Sequence, residues 1–208
     1  MAKARRGHPT NEETAAMRQR LREAAVATFL QHGYDGATME AIAEAAGTTK
    51  RTLYARYPGK RAVFLDAIPW AFTRAVENDT MSRIDDDDLR GALIAIGRGA
   101  VNRALDPGIV RLHRIASTVA DRFPEFSRSA QTLTWASRQR QVMDLLQRHV
   151  DAGTLELDDV ELAAEHFLAM VEAFPARLAE FGIYRSRSTQ HRHVTHAVDL
   201  FLRGALKR

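Results

Sequence analysis

The sequence predicts an all-α protein, an N-terminal three-helix unit containing a helix-turn-helix followed by a larger C-terminal helical body. Three observations lead there. Apolar residues recur at three- and four-residue spacing along most of the chain, in stretches opened by Thr or Asp and closed by Gly or Pro. Residues 38–60, TMEAIAEAAGTTKRTLYARYPGK, read as two short helices reversed at Gly47. The last two helical stretches each carry two apolar stripes, where one core needs only a single band.

Residues 1–9 look like a flexible basic arm. Lys3, Arg5 and Arg6 give it the charge to enter a minor groove, and a solvated tail is the equal alternative. Residues 10–60 form the first domain. Its first helix opens on a capping box, Thr10-x-x-Glu13, carries Met17, Leu21, Ala24, Ala25 and Phe29 on one face, and stops near Gly33. Thr38 caps the second helix, whose apolar face holds Ile42, Ala45 and Ala46. Thr49 caps the third, residues 50–57, about 12 Å long at 1.5 Å per residue and so near the width of a B-DNA major groove. Leu53 anchors that helix, while Thr49, Lys50, Arg51, Thr52, Tyr54 and Arg56 are donors suited to phosphates or base edges.

Residues 61–208 form the body. Val63, Phe64 and Ile68 mark its first helix, and Pro69 predicts a kink, a break or an end between Leu65 and Trp70. Asp85 to Asp88 precede Leu89, Leu93, Ile96 and Ala100, and fit a solvated helix start better than a metal site. Asp106-Pro107 starts the next helix, with His113 at the edge of its stripe as a boundary histidine or a polar group in a cavity. After Phe123-Pro124 comes a helix carrying Leu133, Trp135, Val142, Leu145, Leu146 and Val150 up to Gly153. Asp158 or Asp159 caps the one that follows, and Pro175 should kink it. The final helix begins near Ser188. The surplus stripes suggest a homodimeric four-helix interface through Leu162, Ala169, Met170 and Ala173 on the first of the pair and Val194, Val198, Phe201 and Leu202 on the second.

Composition narrows the function. The chain has 45% apolar and 27% charged residues, an ordinary globular balance. It has no Cys, which excludes disulfides, thiolate zinc sites and a Cys nucleophile. The N-terminus has no apolar signal segment and no run approaches the roughly 20 apolar residues of a bilayer span, so a soluble, cytoplasmic protein with no membrane partner is expected. Residues 1–66 hold 11 Lys/Arg against 7 Asp/Glu, while the remainder holds 19 of each, so the whole surplus of +4 sits with the helix-turn-helix. No G-x-S-x-G elbow, phosphate-binding Gly loop or HExxH is present. His193 and His196 have a workable ligand spacing, but no carboxylate completes the set. No catalytic residue, metal or cofactor is expected.

The run Gly33-Tyr34 … Thr38 … Ile42-Ala43 … Ala46-Gly47-Thr48-Thr49-Lys50-Arg51-Thr52-Leu53-Tyr54 … Tyr57 … Lys60 resembles the DNA-binding domain of TetR/AcrR-family transcriptional regulators, over about residues 14–66. It departs at Thr48, where the family usually has Val, and at Tyr57, where it usually has Phe. Less tightly, Arg122-Phe123-Pro124-Glu125, Gly153-Thr154-Leu155, residues 161–167 and residues 198–204 resemble the AefR-like type of C-terminal domain. The resemblance implies a dimer that reads double-stranded operator DNA and a body that binds a small effector. Lys50, Arg51 and Thr52 are then assigned to base edges or nearby phosphates, and Tyr34, Thr38, Tyr54, Arg56 and Lys60 mainly to phosphates. Trp70, His113, Phe126, Trp135, Met143, Met170 and Phe174 become candidates for an effector pocket suited to an apolar or amphipathic molecule. The expected function is a repressor released by that effector. A DNA-binding regulator without an effector, and a helical ligand- or metal-binding protein without DNA function, are the other readings.

Overall fold

The computed structural model describes residues 10–77, 88–125 and 136–206. The N-terminal arm, residues 1–9, lies outside them. The helices are α1 (Asn11–Gly36), α2 (Met39–Ala45), α3 (Lys50–Arg56), α4 (Lys60–Glu77), α5 (Leu89–Ala104), α6 (Pro107–Val119), α7 (Ala136–Asp151), α8 (Val160–Leu168), a π-helical turn (Ala169–Ala173), α9 (Phe174–Glu180) and α10 (Arg187–Ala205). Among the described residues the only β pairing is a bridge between Leu155 and Leu206. The chain divides into two compact units between Ala71 and Phe72, inside α4, rather than at the start of that helix.

Local chemistry sets the boundaries. Thr10 and Glu13 make the reciprocal capping box, Oγ1 accepting from Glu13 N at 3.2 Å and the carboxylate from Thr10 N at 2.8 Å. Thr38, Thr49, Asp88, Asp106, Asp159 and Ser186 each accept an N–H three residues on and so open α2, α3, α5, α6, α8 and α10. Gly33 turns α1 at φ 68°, and Gly47 reverses α2 into α3 at φ 62°, both in the left-handed region that glycine enters freely.

Two prolines act differently from expectation. α4 runs unbroken past Pro69, which costs it the N–H bond that would have reached Leu65 O. Pro175 is answered by the π-helical turn immediately before α9, not by a simple bend. Pro175 has no N–H for Val171 O, and that carbonyl accepts instead from His193 Nε2 of α10 at 3.0 Å. His193 therefore ties α10 to the π-helical turn.

Each unit has its own core. In the first, Leu21, Phe29, Ile42, Leu53, Phe64 and Ile68 are fully buried. Phe64 meets Phe29 and Tyr34 edge-on, both at 5.1 Å between centroids; such contacts add about 0.5–1.5 kcal/mol each beyond burial. In the second, Leu93, Ala100, Val142, Leu146, Phe167, Val171 and Val198 join α5, α7, α8, the π-turn and α10 in one cluster. Gly97 lets α5 approach closely there: a Cβ would lie 2.8 Å from Val194 Cγ1.

Candidate functional site

The surface of the first unit is built around α3. Leu53 is wholly buried and fixes which side of the helix faces its neighbours. Lys50, Arg51, Thr52, Tyr54 and Arg56 are all exposed. Thr49 Oγ1 is occupied at the helix start, accepting from Thr52 N at 3.2 Å and lying 3.0 Å from Thr52 Oγ1. Lys50 forms an ion pair with Glu40 of α2, both half exposed, so the pair is screened by water and easily exchanged. An exposed helix bearing three cations, two hydroxyl groups and a phenol can contact phosphates and base edges together.

Two residues assigned to phosphate have other work. Tyr34 is buried and belongs to the aromatic core. Lys60 Nζ donates to Asp35 O at 3.1 Å and Ala37 O at 2.9 Å, and stands 4.7 Å from the Tyr34 ring centre. That ammonium closes the carbonyl end of α1, a long-range role that spacing does not reveal. Thr38 is exposed and caps α2 through its hydroxyl, which still has a proton to donate.

Sequence reading missed the carboxylate that ties the unit together. Asp66 of α4 accepts from Arg18 at 2.8 Å, from Arg22 at 2.5 and 2.8 Å, and from the Tyr57 hydroxyl at 2.6 Å. Burial would raise its pKa, but hydrogen bonds from Arg22, Arg18 and Tyr57 outweigh burial and hold it well below the usual carboxylate range. Tyr57, desolvated and donating to that anion, is pushed up to about 12. The network joins α1, the C-cap of α3 and α4, and so fixes how α3 is presented. Asp66 falls between Val63 and Ala67 on the buried side of its helix, which was the available signal.

The second unit scatters the expected pocket residues. Trp70 belongs to the first unit, with the Arg22 guanidinium 5.7 Å from its ring centre. Phe126 and Trp135 lie outside the described residues. Met143 and Met170 are half buried against the main cluster. Phe174 is 52% exposed beneath Arg185. His113 is exposed, its ring 4.6 Å from Phe72.

A polar group that was not anticipated is buried instead. Glu172 in the π-turn is 6% exposed and bonds Arg138 of α7 at 2.5 Å. Burial pushes its pKa up, against the opposing charges of Arg138 and Arg103. In sequence, Glu172 extends the series Ala164, Leu168, so a lone carboxylate in a buried stripe was the missed sign.

The expected dimer residues also divide. Val194, Val198 and Leu202 fill the subunit's own core, and Met170 and Phe201 are half buried against it. Periodicity reports an apolar face without saying what covers it, and Val194, Val198 and Leu202 are covered within the subunit. Leu162, Ala169 and Ala173 are exposed. So are Phe174, Phe181, Ile183, Tyr184, Leu200 and Leu206, making all but one of the exposed large apolar side chains of the described residues fall between 162 and 206. The exception is Tyr54 on α3. Among the described residues no helix is long and apolar enough to cross a membrane, and no group of three or more His, Asp or Glu is placed to hold a metal ion.

Comparison with known proteins agrees with this division. Residues 21–67 match the family model of bacterial regulatory proteins of the TetR family, and residues 91–204 match that of the AefR-like transcriptional repressor C-terminal domain. The chain is 25% identical over 173 residues to the HTH-type transcriptional repressor AcnR of Corynebacterium efficiens, covering 82% of this chain and 86% of that one. Its fold is similar to a structure from Mesorhizobium loti described as a TetR-family regulator, at TM-score 0.85 and 24% identity over 96% of this chain and all of that one. It is also similar to the flavonoid-responsive regulator FrrA, at TM-score 0.78 and 26% identity over 93% and 99% of the two chains.

Proposed function

Because the chain belongs to the TetR family of transcriptional regulators, a non-enzymatic DNA-binding family, we propose that it acts in the cytoplasm as a homodimeric repressor released from its operator by a small amphipathic effector. The observation that carries the reading is the exposed cationic face of α3, held on the buried Leu53. In the complex Lys50, Arg51 and Thr52 reach base edges or nearby phosphates, while Thr38, Thr49, Tyr54 and Arg56 hold the backbone. The two copies of α3 stand roughly 34–36 Å apart, one duplex turn, on a palindromic site. The apolar side chains exposed between 162 and 206 supply the surface for the second subunit. FrrA is named for its response to flavonoids, which are amphipathic aromatics, and an effector of that general character suits this body.

The test is a salt-dependent gel shift with DNA flanking the chain's own gene. Lys50→Ala and Arg51→Ala should each lower the slope of log affinity against log salt by about one. Lys60→Ala should leave the slope unchanged and lower thermal stability. No complex at low salt would sink the reading, and a slope change with Lys60→Ala alone would misassign the contacts.

A further inference from the structure

Glu40 is a carboxylate set directly against the cationic helix. It forms an ion pair with Lys50 across the α2–α3 turn, and both side chains stay about half open to solvent. Stability does not account for the pair, because exposed ion pairs contribute almost nothing measurable to folding. Attraction to phosphate does not account for it either. A carboxylate here is repelled by the DNA backbone, and it occupies a cation that would otherwise neutralise a phosphate. The two groups are also held in place. Ile42 and Leu53 are fully buried and anchor α2 and α3 from the inner side, while Thr38 and Thr49 cap the two helices. Hydrogen bonds from Lys50 and from its own backbone hold Glu40 below the usual carboxylate range, so it is an ionised, acceptor-only group.

We infer that Glu40 is a specificity-determining residue, and that the Lys50–Glu40 pair reads the major-groove edge of one G·C base pair in each half-site. This rests on the operator-binding reading and names one base pair of the operator. Guanine presents two adjacent acceptors, O6 and N7, which suit the Lys50 ammonium. The cytosine paired with it presents its N4 amino group, a donor that suits a carboxylate. An ammonium and a carboxylate held side by side therefore match that edge, donor to acceptor and acceptor to donor, with their own pair intact. In an A·T pair the thymine side offers O4 and a methyl group, and neither donates to a carboxylate. On any other sequence Glu40 faces acceptors and phosphates, so it weakens unrelated complexes more than the correct one.

The test selects bound duplexes from a pool with a randomised core, using the full chain and its Glu40→Ala, Lys50→Ala and Glu44→Ala variants. Affinities are then measured on the enriched duplex, on copies with single base pairs exchanged, and on unrelated DNA. Glu44→Ala removes the same charge one turn further along α2 and controls for general repulsion. All three side chains are exposed, so each variant should melt close to the parent. The parent should prefer G·C at one position of each half-site by about tenfold. Glu40→Ala and Lys50→Ala should both lose that preference, at the same position, and keep the others. Glu40→Ala should also bind unrelated DNA more tightly than the parent does, while Glu44→Ala leaves every base preference as it was. Equal effects of Glu40→Ala and Glu44→Ala overturn the assignment. So do preferences lost at two different positions or at an A·T pair, or preferences that Glu40→Ala leaves intact. In each of those cases the operator-binding reading survives, because a sequence was enriched. A parent chain that enriches no sequence removes that reading, and this assignment with it.

Discussion

Asp66 in the first unit and Glu172 in the second are both carboxylates paired with arginine, yet their pKa values move in opposite directions. Asp66 accepts from two arginines and a tyrosine, one guanidinium approaching it twice, and four charge-assisted bonds overcome its partial burial. Glu172 is more deeply buried, receives one bond from Arg138, and the desolvation cost wins. Pairing with arginine does not by itself make a carboxylate stabilising. The number of donors set against the depth of burial decides which way each group titrates.

The contrast can be broken in order of expected effect. Arg138→Gln leaves Glu172 buried without its partner and should cost about 3 kcal/mol in urea unfolding, the low end for a broken buried pair. Asp66→Asn removes the charge on which three side chains converge and should cost about 2 kcal/mol, with a parallel loss of DNA affinity as α3 loses its fixed presentation. Were Asp66→Asn as stable as the parent, the clasp would be ornamental. Tyr57→Phe deletes a single donor to that anion and should cost about 1 kcal/mol. The smallest effects lie in the pH dependence, and they have opposite signs. The depressed pKa of Asp66 contributes stability that is full above about pH 4 and is lost as acid protonates the carboxylate, so Asp66→Asn should flatten the acid limb. The raised pKa of Glu172 means stability falls as pH climbs from about 4.3 through its folded value, and Glu172→Gln should remove that decline. Melting curves across this range that moved together in both variants would erase the distinction.

What could be read from the sequence was the local chemistry. The Thr10–Glu13 box, the Thr38, Thr49, Asp106 and Asp159 caps and the Gly33 and Gly47 turns each involve residues within a few positions, and all appear where their spacing placed them. The exposed face of α3 was legible for the same reason, since Leu53 marks its inner side. What depended on distant partners was not. Lys60 finds its carbonyls more than twenty residues back, Asp66 draws its arginines from α1, and Glu172 meets Arg138 across 34 positions. Val194, Val198 and Leu202 show the same limit, because an apolar stripe looks alike whether its own subunit or another covers it.

The bond from His193 to Val171 O keys two helices to each other. A shift of α10 by one residue is about 1.5 Å of travel and 100° of turn, enough to carry the imidazole off the only carbonyl that Pro175 leaves waiting. Axial sliding between these helices is therefore blocked by a single tooth, while a small rotation about it keeps the contact. Any rearrangement passing through this pair is confined to pivoting.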